Sequence, residues 1–140
     1  MHPDIGPSPS RRDCALMPVL PAPPQHTHDI GTTRFTSLAT PRRGSQETAV
    51  WQVEISPGTE PTPHSLTREE VFVVLDGVAS TSIDGEAGQG RPGDAIVVSP
   101  GVPFVLANGG DGPLRMLCCM PVGGQARLPD GDPFTPPWAE

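Results

Sequence analysis

The 140-residue chain is short of several things, and each shortage closes off a class of protein. It has no apolar run approaching the length of a bilayer span, which argues against a helical membrane protein. Lys and Arg total 9 against 16 Asp and Glu, for a net charge of −7. Nucleic-acid binding needs clustered basic residues to neutralise phosphates, so neither nucleic acid nor a membrane is expected as a partner. Cysteine is scarce, at Cys14, Cys118 and Cys119. An odd number cannot pair completely. Cys118 and Cys119 are neighbours, which on a strand point to opposite faces and make a poor disulfide; one is expected buried and the other turned outward. The segment from Cys14 to Leu20 follows Arg11 and Arg12, yet it is too short and too Pro-interrupted for the apolar core of an export signal, which points to a cytoplasmic protein. No stretch sustains a helical period.

What the chain has in quantity is 20 Pro and 16 Gly. These fall between short β-branched runs, the pattern of an all-β domain rich in turns, and the length suits one domain with a real core. Residues 1–33 read as a flexible N-terminal extension or arm. Within it, residues 1–16 look disordered or lie before a natural start at Met17, and residues 25–29, with His26 and His28, form a solvated linker. Strands are expected over 34–38, 48–55, 70–75, 78–83, 86–89, 94–98, 104–108 and 114–122. In the second of these Ala49, Trp51, Val53 and Ile55 share one face, the period of a half-buried strand. Asp84-Gly85 is a two-residue hairpin signal. Residues 123–140 read as a Pro-rich strap without regular structure, anchored by Phe134 and Trp138. Strands recurring about every ten residues favour a small antiparallel barrel or jelly roll.

Two segments carry more specific information. The first runs from Gly58 through His64 and Glu70 to the strand ended by Gly77. The second runs from Gly93 and Asp94 through Ser99, Gly101 and Phe104 to Asn108. Together they resemble the paired signatures of the cupin superfamily, with fifteen residues between them, and the likeness extends over 34–122. The resemblance implies a small single-domain cupin-type double-stranded β-helix (jelly-roll) barrel. It also implies a homodimer, with residues 17–38 available as an exchanged arm. In the family the first signature supplies two His and a Glu to a metal, and the second supplies one His. Here Leu66 and Phe104 stand at two of those places, leaving His64 and Glu70.

Leucine and phenylalanine donate no lone pair, so no metal is expected; if a divalent metal binds, His64 and Glu70 hold it. Without one, the two residues suit acid–base work, with Glu70 orienting the imidazole of His64. Leu66, Phe72, Phe104, Trp51 and Cys118 are expected to line the pocket around them. The expected function is a metal-independent cyclase, isomerase or lyase acting on a small hydrophobic molecule. Two alternatives stand beside it: a metal-dependent enzyme whose site is completed by Cys, water or substrate, and a non-catalytic pocket for a small ligand. Glu69 should be solvated and Asn108 should bond to turn backbone.

Overall fold

The computed structural model describes residues 18–140; the expectations for residues 1–16 and for a start at Met17 lie outside the described residues. Eleven strands follow in order: β1 (His28–Ile30), β2 (Thr33–Ala39), β3 (Thr48–Ile55), β4 (Ser65–Leu66), β5 (Glu70–Asp76), β6 (Ala79–Ile83), β7 (Glu86–Gly90), β8 (Ala95–Val98), β9 (Phe104–Asn108), β10 (Leu114–Pro121) and β11 (Ala126–Arg127). Short 3-10 turns lie at Pro41–Arg43 and Pro137–Ala139. No helix among the described residues is long and apolar enough to cross a membrane.

The strands pair antiparallel throughout. The large sheet has the order β1-β2-β3-β10-β5-β8, the small one β7-β6-β9, and β4 pairs with β11. This is an all-β jelly roll. Alternation decides what each strand buries. Ala49, Trp51 and Val53 of β3 turn inward, as do Leu114, Met116, Cys118 and Met120 of β10, and Glu70, Phe72 and Val74 of β5. Their neighbours in sequence are less buried and form the outer face. β10 lies at the centre of the large sheet, with Cys118 opposite Trp51 on β3 and opposite Phe72 on β5.

Turn chemistry closes the loops. Asp84 and Gly85 both have positive φ (53° and 82°), the backbone of the tight turn that matches strand twist in a hairpin; β6 and β7 pair across it. Asn108 donates to the carbonyls of Ile55 (2.9 Å) and Gly112 (2.8 Å) and accepts from the Gly110 amide. It thus ties the end of β9 to β3 and to the following turn.

The structure places regular structure in both end segments, where a solvated linker and an irregular strap were expected. The linker over 25–29 is in part a strand, because His28–Ile30 pairs with β2, with His28 opposite Phe35. The strap over 123–140 contains regular structure. Ala126–Arg127 pairs with β4, and Ala126 also bridges to Phe134. Trp138 stacks on Phe35 with centroids 3.6 Å apart and planes at 3°, and its carbonyl accepts from the Ser37 hydroxyl at 2.7 Å. Arg42 bonds to Glu140 through both backbone (2.8 Å) and side chain (3.0 Å). The end of the strap is therefore sewn to β2 and to the turn that follows it.

Gly77 sets the turn that sends the chain from β5 toward β6. Its φ is 85°, and a Cβ there would run into the carbonyl oxygen of Pro113. Gly77→Ala combines a left-handed backbone with a backbone clash and should destabilise the fold by about 3 kcal/mol. Urea unfolding of the two proteins measures the difference, and an equal midpoint would contradict this account of the turn.

Candidate functional site

A cavity of about 400 Å³ occupies the interior of the barrel. Its deep wall is built by the inward faces of the large sheet: Trp51 and Val53 from β3, Glu70 and Phe72 from β5, and Met116 from β10. Phe104 and Leu106 close the side formed by β9. The strap contributes Phe134, Pro136, Pro137 and Trp138, and exposed Ile30, Leu128 and Phe134 form an apolar rim.

His64 reaches this cavity by a local device. It is bridged to Phe104, with amide-to-carbonyl bonds in both directions at 3.1 and 2.9 Å. The His64 and Phe104 rings lie 4.3 Å apart at 51°, and Phe104 lies 6.0 Å from Phe72. The residue in the second family signature therefore sits directly against the His of the first. Nδ1 of His64 donates to the Thr62 carbonyl at 2.9 Å. A carbonyl only accepts, so the proton is on Nδ1 and Nε2 carries the lone pair. Burial lowers the His64 pKa from its ordinary value, with the Thr62 bond opposing; desolvation penalises the cation.

Glu70 opens β5 and points inward, 5% exposed. Among the described residues its carboxyl has no hydrogen-bond partner and no cation beside it. Desolvation alone pushes its pKa up to about 8, so the acid form persists at neutral pH. The expected pairing of Glu70 with His64 through a hydrogen bond is not made. The orienter of the imidazole is the Thr62 carbonyl, supplied by the loop before β4, and that role has no side-chain signal from which to read it.

The other expected lining residues divide. Trp51, Leu66, Phe72 and Phe104 all line the cavity, whereas Cys118 does not. Cys118 faces inward but is 1% exposed, flanked by Trp51 and Phe72 on the neighbouring strands. Met116, two residues earlier on the same face, takes the place on the wall. Burial, with Glu70 and Cys119 nearby, raises the Cys118 thiol well above its usual range. Cys119 turns outward and is half-buried. Glu69 is exposed, and His26 pairs at the surface with Asp29 at 3.2 Å. Thr33, Thr62, Met116, Leu128 and the proline pair of the strap also line the cavity, and no sequence pattern singles them out.

Residues 51–120 match the family model described as the cupin domain, half of the chain. The chain belongs to the cupin family. It is 36% identical over 53 residues to an uncharacterized protein of Methanocaldococcus jannaschii, covering 38% of this chain and 42% of that one. Among solved structures it resembles the polyketide cyclase RemF from Streptomyces resistomycificus, at a TM-score of 0.59 and 24% identity over 64% of this chain and 65% of that one. It also resembles the Bacillus subtilis oxalate decarboxylase with Mn(II) centres, at a TM-score of 0.62 and 22% identity over 70% of this chain and 28% of that one. A third likeness is to the salicylate 1,2-dioxygenase from Pseudoaminobacter salicylatoxidans, with a TM-score of 0.61 and 16% identity over 71% and 30%. The chain thus spans less than two thirds of each of these proteins, and at such identities the structural likeness concerns the fold.

The donor set can be compared with what a metal such as some cupins carry would require. Among the described residues no three His, Cys, Asp or Glu side chains come together. The cavity offers one imidazole and one carboxyl, with Leu66 and Phe104 at the remaining family positions. A catalytic centre uses three or so protein ligands, so the residues described do not by themselves fit one.

The perturbed groups give the fold a pH signature. Glu70 holds its proton in the folded state up to about 8 but only to about 4.5 in the unfolded chain, so stability falls as pH rises between those values. His64 has the opposite sign: its folded pKa lies below 6.5, so its effect is a loss of stability as pH drops below 6.5. Between 6.5 and 8 the Glu70 effect stands alone. The wild-type fold should lose about 2 kcal/mol across that window, and Glu70→Gln should lose almost none. Denaturant titrations at the two pH values compare them; parallel losses in both proteins would refute the assignment.

Proposed function

We propose that this cupin is a metal-independent acid–base enzyme that cyclises, isomerises or eliminates from a small hydrophobic substrate held in the barrel. The observation that carries this reading is the presence, in one apolar cavity, of a neutral imidazole with a free Nε2 and a buried carboxyl with no partner. The two groups have environments that push their pKa values in useful directions: the imidazole stays a base and the carboxyl stays an acid near neutral pH. The resemblance to a polyketide cyclase in fold is in keeping with it.

In this mechanism Nε2 of His64 takes a proton from an activated carbon or hydroxyl of the substrate, and the imidazolium that forms is stabilised through Nδ1–H by the Thr62 carbonyl. Glu70 gives its proton to the oxygen on which negative charge develops. After ring closure, proton relocation or departure of a leaving group, the protons return and both groups are restored. The apolar walls exclude water and strengthen both interactions.

A competing reading, favoured by the Mn(II) centres of the oxalate decarboxylase neighbour, has His64 and Glu70 holding a divalent metal. Metal analysis of protein purified without added metal separates the two. Stoichiometric metal that disappears in His64→Ala supports the competing reading and overturns ours. On our reading, His64→Ala and Glu70→Gln each reduce kcat by about 10²–10⁴-fold without a change in metal content. From neutral pH the kcat/KM of the wild type should hold steady up to about pH 8 and then fall about tenfold per pH unit as Glu70 ionises, and it should also fall on the acid side of 6.5 as His64 takes up its proton. Turnover that survives both substitutions would remove His64 and Glu70 from the chemistry, and a cellular role that survives them with no turnover in any variant would leave only a binding pocket.

A further inference from the structure

The inner face of the large sheet lines the barrel, and an antiparallel sheet with its other face in solvent ordinarily turns polar residues outward. This sheet does not. Across β3, β10, β5 and β8, one row of outward residues reads Val50, Cys119, Val71 and Val97, each opposite the next in register. The adjacent row reads Gln52, Leu117, Val73 and Ala95. Gln52 is the one polar member and no member is charged. Residues 71–75 and 95–98 are accordingly unbroken apolar runs, the composition of strands covered on both faces. Yet every residue of the two rows is partly exposed, Val97 to 53%. A contiguous apolar patch of this kind marks a contact site.

The next row indicates what covers it. There Arg34, Glu54, Arg115 and Asp76 stand side by side on β2, β3, β10 and β5, alternating in sign. The ion pairs among the described residues, His26 with Asp29 and Arg42 with Glu140, use none of these four. An alternating row of charges is complementary to its own reverse. A second copy, turned about a two-fold axis parallel to the strands, presents the same rows in reversed strand order. With the axis between β10 and β5, at the middle of the apolar patch, Leu117 faces the partner's Val73 and Cys119 faces the partner's Val71. Arg115 then faces the partner's Asp76. An axis running along β10 itself would instead set Arg115 against the partner's Arg115, so the charges select the first arrangement.

We infer that the outer face of the large sheet docks a second copy of this chain face to face about that axis, with Arg115 and the partner's Asp76 paired at two symmetric places. The contact joins faces and needs no exchange of residues 17–38. It is also independent of the acid–base reading of the cavity.

Sedimentation equilibrium of the full chain tests it. The wild type should dimerise with a Kd of about micromolar or tighter. Leu117→Lys, which sets a charge at the centre of the contact, should abolish the dimer. Val97→Lys lies at an exposed position on the edge strand, where the fold tolerates it, and should weaken the dimer about tenfold; circular dichroism checks that both variants are folded. Arg115→Asp and Asp76→Arg should each weaken the dimer about tenfold. An equimolar mixture of those two variants should recover wild-type affinity, because every Arg115–Asp76 contact across the interface then joins opposite charges. Within each chain the two positions stay like-charged in the mixture, so recovery reads the intermolecular contact alone. A wild type that is monomeric at about 100 μM, or a dimer undiminished in both folded Lys variants, overturns the inference and leaves the face to another occupant, residues 1–17 or a different protein. A mixture no tighter than its components overturns the placement of the axis.

Discussion

The double ladder of β10 is the constraint on which the rest of the molecule depends. This strand pairs with β3 along one edge and β5 along the other, so its register fixes both. A slip of one residue would exchange every inward side chain for an outward one, bringing Leu117 and Cys119 into the barrel and expelling Met116 and Cys118. The register holds because Leu114, Met116, Cys118 and Met120 are all buried, and removing four such side chains from the core would cost as much as a domain's whole net stability. Trp51 and Phe72 face the same interior because each is paired opposite Cys118. Glu70 follows from Phe72 by alternation alone.

That same alternation places a carboxyl where no cation among the described residues pairs with it. The physical consequence is a conflict between stability and chemistry. Each step in pH from the ordinary carboxylate range up to about 8 makes the fold less stable relative to an unfolded chain that can ionise freely. A glutamine would relieve the conflict and keep the shape, but it has no proton to give. Retention of an acid in a dry wall is what a site needs when it must protonate something at neutral pH. The imidazole is treated in the complementary way. Phe104 lies against it and desolvates it, and Thr62 fixes its tautomer.

Much of this is legible in the amino-acid sequence. Period-two alternation in residues 48–55 and 114–121 marks the inward faces, and Pro-Gly and Asp-Gly pairs mark the turns, because both depend only on local geometry. The spacing of the two signatures locates Leu66 and Phe104 on the cavity wall. The failures share a cause. β1, β4 and β11 are two or three residues long and exist through their partners, so no pattern within them marks a strand. Cys118 is expected on the pocket wall and is not there, because alternation tells which face a residue takes but not how deep it sits. Thr62 acts through its carbonyl, a group every residue has, so nothing in the identity of position 62 announces it. The strap reads as irregular because its order comes from contacts with β2 about a hundred residues away, such as Phe35 with Trp138 and Ser37 with the Trp138 carbonyl.

Phe104 is the residue that connects fold and site most closely. It is paired by backbone to His64, stands in ring contact with it, and occupies the family position of a metal-binding His. A histidine there would present a second imidazole to the cavity beside the first. A phenylalanine instead removes water from the first imidazole, lowers its affinity for a proton and adds an apolar ring to the cavity wall. One substitution thus acts on donor count, basicity and ligand shape together. Leu66 adds to the same wall and, through its own backbone carbonyl, holds the Gly101 amide at 2.8 Å, tying the loop before β9 to β4. The two replacements therefore do more than subtract ligands: they build the apolar wall that desolvates His64 and Glu70.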